Sequence, residues 1–332
     1  MMISLSVTSV KVVNGDVYLT LVNDSQCTIS RLRTGGSVET LTQIAGSRCL
    51  IIGSSSEGLL VSSGENLYLV SGNEAKPVLR ARPGNWFWHA VEGDGKIFVH
   101  EYGESPTGIY VTEDLRNFEE VSTNIDVDPL SRHFHYLAFD DNSKLLIATL
   151  GDGNVVRVAV SRDYGYSWKP LYKGPWQFVP ILFDSDKWIL GFDSAIARGG
   201  VGVYNAKHGE WSFSFFRNVN YHYAQFASLI KFGSYYVGCL GLPTAITVST
   251  DLRYWHSLFI DGSITKYNHL VSAELLGERI IVATGRKLLI FNNNDVEQAL
   301  REKPFLVPYK AYLDKVKGLA FTIKRIRWIL RL

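Results

Sequence analysis

Ser161-Arg-Asp-Tyr-Gly-Tyr-Ser-Trp168 is the stretch that decides the fold of this chain, because related segments recur along the sequence. Shortened copies occupy residues 112–118 and 249–255, and a degenerate copy occupies residues 205–211. A repeat of about 40–50 residues that carries four strands is typical of a β-propeller blade. The closing aromatic residues have that spacing, since they are 50, 43 and 44 residues apart at Phe118, Trp168, Trp211 and Trp255.

Short alternating apolar segments joined by tight turns surround these copies. Residues 11–13 are followed by Asn14-Gly15-Asp16 and then by residues 17–22, which predicts a strand, a turn and a second strand. The same order returns around residues 93–95, 140–143, 184–186, 233–234 and 277–278. We therefore predict an all-β chain with a β-propeller over residues 1–295. About 290 residues and a repeat of about 42 give seven four-stranded blades, with six as the alternative.

The C-terminal residues 296–332 differ from the repeats and predict a basic helical extension. One helix is expected over residues 295–303, ended by prolines, and another over residues 312–332. From Lys310 onward there are seven Lys or Arg residues and one acidic residue, Asp314. Such a basic amphipathic segment either packs on the propeller rim or binds a membrane surface or a protein partner.

Composition excludes several classes of protein. The formal charge is +2, with 34 basic and 32 acidic residues, so nothing global favours nucleic acid. The count and spacing of Cys27, Cys49 and Cys239 argue against a disulfide framework and a cysteine-based zinc site. No apolar segment is long enough to span a bilayer, and the first residues do not read as a signal peptide. We expect a cytoplasmic protein, with peripheral membrane association through residues 310–332 as an added option.

The segment from Ser161 to Trp168 resembles the Asp box, or BNR repeat, of sialidase-like propellers. The resemblance implies that the Ser161 hydroxyl and the Asp163 carboxylate fix a hairpin between the two outer strands of a blade. It also implies a left-handed backbone at Gly165 and a tryptophan wedged between blades. The box of that family lies away from the active centre, so these residues are expected to form the fold. True sialidases carry an Arg-Ile-Pro stretch that this sequence lacks, and sialidase activity is not expected.

Candidate site residues follow from the phase of the repeat. In a propeller, the first strand of each blade begins, and the second ends, at one mouth of the central channel. The predicted catalytic residues at these positions are Glu101, His133, His135, Asp152 and His222. The predicted substrate-binding residues are Tyr102, Arg132, Gln177, Asp193, Tyr221 and His269. We expect this mouth to be solvated, so that replacing His135 or Glu101 costs little stability.

The histidines and carboxylates leave alternative roles open. His133 and His135 are two residues apart on a strand and hence on one side. They suit either a divalent metal, with Glu101, Asp152 or Asp193 as a further ligand, or one backbone hydrogen bond and one exposed ring. No cofactor is otherwise predicted. Glu101 and Asp152 form an acid/base pair if the protein is a glycosidase.

These expectations predict a carbohydrate-active or carbohydrate-binding propeller. If it is an enzyme, it is a glycoside hydrolase or a polysaccharide lyase; the His, Tyr and Arg content loosely resembles propeller lyases, in which His or Tyr abstracts a proton. Binding alone is the alternative, because Trp86, Trp88, Tyr102 and Trp176 can stack on sugar rings. A third option is an interaction scaffold held to a membrane or partner by residues 310–332. No serine nucleophile elbow, phosphate loop, HExxH or dinucleotide motif is present.

Overall fold

A computed structural model gives the structure of the chain in two compact units. The N-terminal unit covers residues 4–174, and the C-terminal unit covers residues 2 and 3 together with the described residues from Pro175 onward. The structure describes residues 2–4, 6–23, 25–33, 35–46, 48–152, 155–193, 199–217, 225–242, 244–261, 268 and 270–302.

The N-terminal unit contains four four-stranded sheets, each with its strands in chain order. Blade 1 consists of β2 (Val7–Val13), β3 (Asp16–Asn23), β4 (Gln26–Leu32) and β5 (Val38–Ala45). Blade 2 consists of β6 (Cys49–Ser55), β7 (Gly58–Ser63), β8 (Asn66–Ser71) and β9 (Glu74–Arg80). Blade 3 consists of β10 (Trp86–Gly93), β11 (Lys96–Tyr102), β12 (Gly108–Thr112) and β13 (Glu119–Thr123). Blade 4 consists of β14 (His133–Asp140), β15 (Leu145–Gly151), β16 (Val156–Ser161) and β17 (Lys169–Lys173).

The C-terminal unit contains three more sheets. Blade 5 consists of β18 (Phe178–Asp184), β19 (Lys187–Phe192), β20 (Gly200–Asn205) and β21 (Glu210–Phe215). Blade 6 consists of β22 (Gln225–Phe232), β23 (Tyr235–Leu242), β24 (Thr244–Ser249) and β25 (His256–Ile260). Blade 7 consists of β26 (Val271–Leu276), β27 (Arg279–Thr284) and β28 (Lys287–Asn292), with β1 (Met2–Ser4) as its outer strand. Seven sheets of this kind in the described residues confirm the all-β fold class, a β-propeller with seven blades rather than six.

Two-residue turns set the hairpins of the first two strands in several blades. Asn14 and Gly15, between β2 and β3, both have positive φ values of 51° and 83°. Asp94 and Gly95, between β10 and β11, repeat this pattern with φ values of 55° and 74°. Positive φ at both central residues is the type I′ geometry, whose twist matches that of the paired strands. The turn residues therefore predict these hairpins correctly.

The Ser161–Trp168 segment forms the expected turn between β16 and β17. The Ser161 hydroxyl accepts from the backbone N–H of Gly165 at 2.8 Å and donates to the Asp163 carboxylate at 2.7 Å. The carboxylate in turn accepts from the backbone N–H of Ser167 at 2.9 Å. Gly165 has a φ of 100°, as the motif requires. Hydrogen-bonding side chains thus hold the two outer strands of blade 4 together.

The shortened copies build the same turn with one residue fewer. The Asp114 carboxylate accepts from the backbone N–H groups of Arg116 and Asn117 at 2.9 and 2.8 Å, and Asp251 accepts equivalently. In the degenerate copy the side-chain oxygen of Asn205 accepts from two backbone N–H groups at 3.1 Å. A side-chain oxygen that collects the N–H groups of the turn is the feature shared by all four copies.

The closing tryptophans anchor blades to their neighbours. The Trp168 indole N–H donates to the Ser122 hydroxyl of blade 3 at 2.9 Å, and its ring lies 6.4 Å from that of Phe134. Trp255 is fully buried in the C-terminal unit, where its ring meets Phe216 and Phe226 edge-on. Large aromatic side chains stabilise such contacts because they bury much apolar area and because their rings pack in preferred geometries.

Helices are confined to two short segments of the described chain. α1 (Asn124–Val127) links blades 3 and 4, and α2 (Asn293–Arg301) follows the last strand directly. α2 confirms the helix expected near residues 295–303, and Asn292 caps it by accepting from the N–H of Asp295. No helix in the described residues is long and apolar enough to cross a membrane. The second expected helix, over residues 312–332, lies outside the described residues.

One disulfide joins the first two blades. Cys27 in β4 pairs with Cys49 at the start of β6, and their Cα atoms are 5.7 Å apart. Cys239 is free and buried, and burial raises the pKa of its thiol to about 12. The count and spacing of three cysteines excluded a disulfide framework, and they could not reveal this single bridge.

Candidate functional site

The beginning of a first strand and the end of a second strand lie side by side in blades 3 and 4. Trp86 pairs with Tyr102 across β10 and β11, and His133 pairs with Gly151 across β14 and β15. The first strands β10 and β14 also contact each other. Residues predicted from the phase of the repeat therefore do share one edge of these two blades.

A one-residue bulge interrupts the first strand near this edge in both blades. In β10 the bulge falls at Trp88, between paired Phe87 and His89, and in β14 it falls at His135, between Phe134 and Tyr136. Bulges change the direction of a side chain relative to regular alternation, and they recur next to functional sites. Neither bulge was expected from the sequence.

The side chains at this edge form a continuous group of rings, which we call the ring cluster: Trp86, Trp88, Tyr102, His133 and His135. The Tyr102 ring is the centre of the group. It lies 5.1 Å from Trp86, 5.2 Å from Trp88 and 4.1 Å from His133. His133 and His135 are 5.2 Å apart, so they do lie on one side of the strand as expected.

Charged side chains border the ring cluster. The guanidinium of Arg48, which precedes blade 2, lies 3.5 Å from the centre of the Trp86 ring. Partial burial lowers the pKa of Arg48, although Tyr102 opposes this shift. Arg132 forms an ion pair with Glu104, and both side chains are exposed. Three consecutive blades thus bring aromatic and charged groups to one surface, and Arg48 and Glu104 were not among the predicted site residues.

The surroundings of His133 define which of its two ring nitrogens carries the proton. Its Nδ1 lies 2.8 Å from the carbonyl oxygen of Gly103, and because a carbonyl only accepts, Nδ1 must donate. Nε2 then carries the lone pair and faces the Asp152 carboxylate at 3.6 Å. Burial, and next the charge of His135, lower the pKa of His133 to about 4. The ring is therefore neutral near pH 7.

His89 and His100 lie deeper in blade 3. His100 is fully buried, and its Nδ1 lies 3.0 Å from the Glu101 carbonyl. Burial lowers the pKa of both histidines to about 3. The His89 ring stacks on Tyr136 of blade 4 at 4.1 Å. Both histidines are therefore neutral near pH 7, with His100 fully buried and His89 half-buried.

Glu101 does not lie where the sequence analysis expected. Its side chain is fully buried rather than solvated. The carboxylate accepts from the backbone N–H and the guanidinium of Arg82, both at 2.7 Å, and from the Gly108 N–H at 2.9 Å. Tyr110 adds a fourth hydrogen bond at 3.2 Å. The expectation of a solvated mouth, from which Glu101 and His135 could be removed at little cost, is wrong for both residues, because the His135 side chain is buried as well. Nothing in the sequence pattern indicated Arg82 as the partner of Glu101.

Arg82 connects this buried carboxylate to a second one. Its guanidinium also bonds Glu120 at 2.7 Å. Burial alone would lower the pKa of Arg82, but the hydrogen bond and charge of Glu101 raise it overall. Burial and the charge of Glu101 raise the pKa of Tyr110 as well. These groups hold blade 3 together and are engaged with one another.

Two of the predicted substrate-binding residues, Gln177 and Asp193, belong to the C-terminal unit. Asp193 follows β19, and its carboxylate accepts from the side-chain amide of Gln225 at 2.7 Å. Its backbone N–H donates to the Gln177 carbonyl at 2.9 Å, and Trp176 stacks on Phe192 at 5.0 Å. The remaining predicted residues Tyr221, His222 and His269 lie outside the described residues.

Comparisons with known proteins identify the fold. No protein-family profile and no curated protein matches the chain. A chain in the crystal structure of a mitotic checkpoint complex is similar, at 14% identity and a TM-score of 0.61, over 88% of this chain and 90% of that chain. The extracellular domain of a two-component system from B. thetaiotaomicron also gives a TM-score of 0.61, at 10% identity, over 86% of this chain and 38% of that one. Identities this low carry the fold and not the function. The seven four-stranded sheets of the described residues make that fold a seven-bladed β-propeller.

Proposed function

We propose that this protein binds carbohydrate at the ring cluster and does not hydrolyse it. The observation that supports this proposal is the partly exposed group of Trp86, Trp88 and Tyr102, which is bordered by Arg132 and Asp152. Aromatic faces pack on the apolar faces of sugar rings, while charged side chains bond the hydroxyl or carboxylate groups. The resemblance of the Ser161–Trp168 turn to the Asp box of sialidase-like propellers adds support.

The burial and hydrogen bonds of the Glu101 carboxylate favour carbohydrate binding over glycoside hydrolysis. Hydrolysis needs two carboxyl groups that flank the scissile bond, one of them free to donate a proton. Glu101 accepts four hydrogen bonds in the interior of blade 3, and Glu104 is paired with Arg132. The acid/base pair of Glu101 and Asp152 that the sequence analysis considered therefore lacks one accessible member.

The test is a titration of the full-length protein with neutral and uronic-acid oligosaccharides, followed by tryptophan fluorescence and calorimetry. Tyr102→Ala should weaken binding about tenfold, equivalent to about 1.4 kcal/mol. Tyr254→Ala is the matched control, because Tyr254 is an exposed tyrosine in the turn of blade 6. Absence of binding to every sugar, or the same loss in both variants, would refute the proposal.

Turnover is measured on the same oligosaccharides. Release of reducing ends would show a hydrolase, and appearance of an unsaturated uronate would show a lyase. Either product, made by wild-type protein and not by Asp152→Ala, would replace the binding proposal by an enzymatic one. We expect neither product.

The scaffold alternative depends on residues 310–332, which lie outside the described residues. It stays a proposal from the sequence, as does the cytoplasmic location, and it requires no ligand at the ring cluster. Its test is the deletion described in the Discussion.

A further inference from the structure

We propose that His133, His135 and Asp152 bind a divalent transition-metal ion, with Zn²⁺ as the reference ion. One potential ligand atom from each of these side chains lies within 4.8 Å of the other two. This proposal does not depend on carbohydrate binding, because the three donors belong to blade 4 and require no sugar.

The distance between two of the donors fits coordination to one ion. Nε2 of His133 and a carboxylate oxygen of Asp152 are 3.6 Å apart. With metal–ligand bonds of about 2.1 Å, that separation corresponds to an angle of about 120° at the ion, close to tetrahedral. Two imidazoles and one carboxylate are also a known ligand set for zinc with a further position left for water.

His133 is oriented as a metal ligand. Its side chain is 3% exposed, and its Nε2 makes no hydrogen bond to any part of the chain that the structure describes. The hydrogen bond from Nδ1 to the Gly103 carbonyl fixes the ring and leaves the Nε2 lone pair directed at Asp152. A second hydrogen bond of this kind is the usual support of a metal-binding histidine. A cation bound to both atoms would satisfy the Nε2 lone pair and the Asp152 carboxylate together.

The backbone of β15, the second strand of blade 4, leaves room for the His135 ring. A Cβ atom at Gly151 would lie 1.8 Å from Nε2 of His135, so only glycine allows this ring position. Asp152 follows with a left-handed backbone, φ 60°, which a residue other than glycine adopts uncommonly. Its side chain is 49% exposed, so an ion held here is open to solvent. Imidazole donors favour zinc, copper, nickel or iron over magnesium and calcium.

The experiment is calorimetric titration of the chelator-treated, full-length protein with Zn²⁺, and separately with Mg²⁺. We expect one Zn²⁺ per chain, no measurable Mg²⁺ binding, and an affinity reduced more than about tenfold in His133→Ala and in Asp152→Ala. His208→Ala, which removes an exposed histidine from blade 5, should bind like wild type. Asp152→Ala is the decisive variant, since an exposed side chain can be removed without unfolding the blade.

A second variant tests the position of His135 in the site. Gly151→Ala removes no ligand but displaces His135, and it should also weaken Zn²⁺ binding. Co²⁺ gives an independent reading, because its visible spectrum should show low coordination number in wild type and a spectrum like that of the aqueous ion in Asp152→Ala. No Zn²⁺ binding by wild type, or equal affinity in wild type and Asp152→Ala, would overturn the proposal.

Discussion

Replacement of Glu101 by alanine should destabilise the protein strongly, although Glu101 belongs to the set of residues first predicted to be catalytic. The side chain is fully buried, and its carboxylate accepts four hydrogen bonds. Removal leaves the buried Gly108 N–H without its acceptor and Arg82 without its buried counter-ion. An unsatisfied buried donor and a broken buried ion pair are both changes that destabilise proteins strongly.

The expected size follows from these contacts. Removing one partner of a buried ion pair costs about 3–5 kcal/mol. The Arg82 side chain is 30% exposed and keeps its ion pair with Glu120, so the remaining charge is partly solvated and paired. We therefore expect the free energy of unfolding to fall by about 3 kcal/mol, at the lower end of that range.

The assay is denaturant unfolding followed by tryptophan fluorescence, with the free energy obtained by linear extrapolation. Glu120→Ala is the matched control, because it removes the other, part-exposed carboxylate of Arg82 and should cost at most about 1 kcal/mol. Asp152→Ala should leave the stability unchanged. A Glu101→Ala variant as stable as Glu120→Ala would refute the reasoning, and the acid/base pair of Glu101 and Asp152 would be reinstated.

Two further predictions concern pH and the C-terminal segment. Hydrogen bonds from the backbone N–H groups of Asn117 and Arg116 hold the pKa of Asp114 below its usual value. A pKa that is lower in the folded state stabilises the fold above the unfolded-state pKa of about 4. The denaturant concentration at the unfolding midpoint should therefore decrease as the pH is lowered below about 4, and it should decrease less steeply in Asp114→Ala. Deletion of residues 310–332 should leave the propeller folded but reduce sedimentation with anionic vesicles, an effect that added salt should reproduce. Equal sedimentation of both proteins at low salt would exclude the membrane anchor.

The turn chemistry explains why the blades were predictable. The Asn14-Gly15 hairpin and the Ser161–Trp168 turn depend on residues within a few positions of one another, so their hydrogen bonds are set locally. Repetition of these local signals at blade spacing then indicated the propeller. The phase of the repeat also placed Tyr102, His133 and Asp152 correctly at one edge.

The accessibility of the site residues was not predictable in the same way. Glu101 and Tyr102 are adjacent in the sequence, yet one is buried against Arg82 and the other lies in the ring cluster. The partner of Glu101 comes from the segment before β10, and that pairing depends on strand register rather than on local spacing. The bulges at Trp88 and His135 likewise have no sequence signal of their own.

The sequence by itself determined the all-β class, the hairpins and the turns that close them, whereas seven blades rather than six was decided by the seven sheets of the structure. These features need only contacts between residues that are close in sequence, and their sequence signals recur in several blades. The tertiary structure alone decided which carboxylate is buried, which histidine nitrogen carries the lone pair, and that Gly151 leaves space for His135. Burial and hydrogen bonding of a side chain depend on residues that are distant in sequence and meet only when blades pack together.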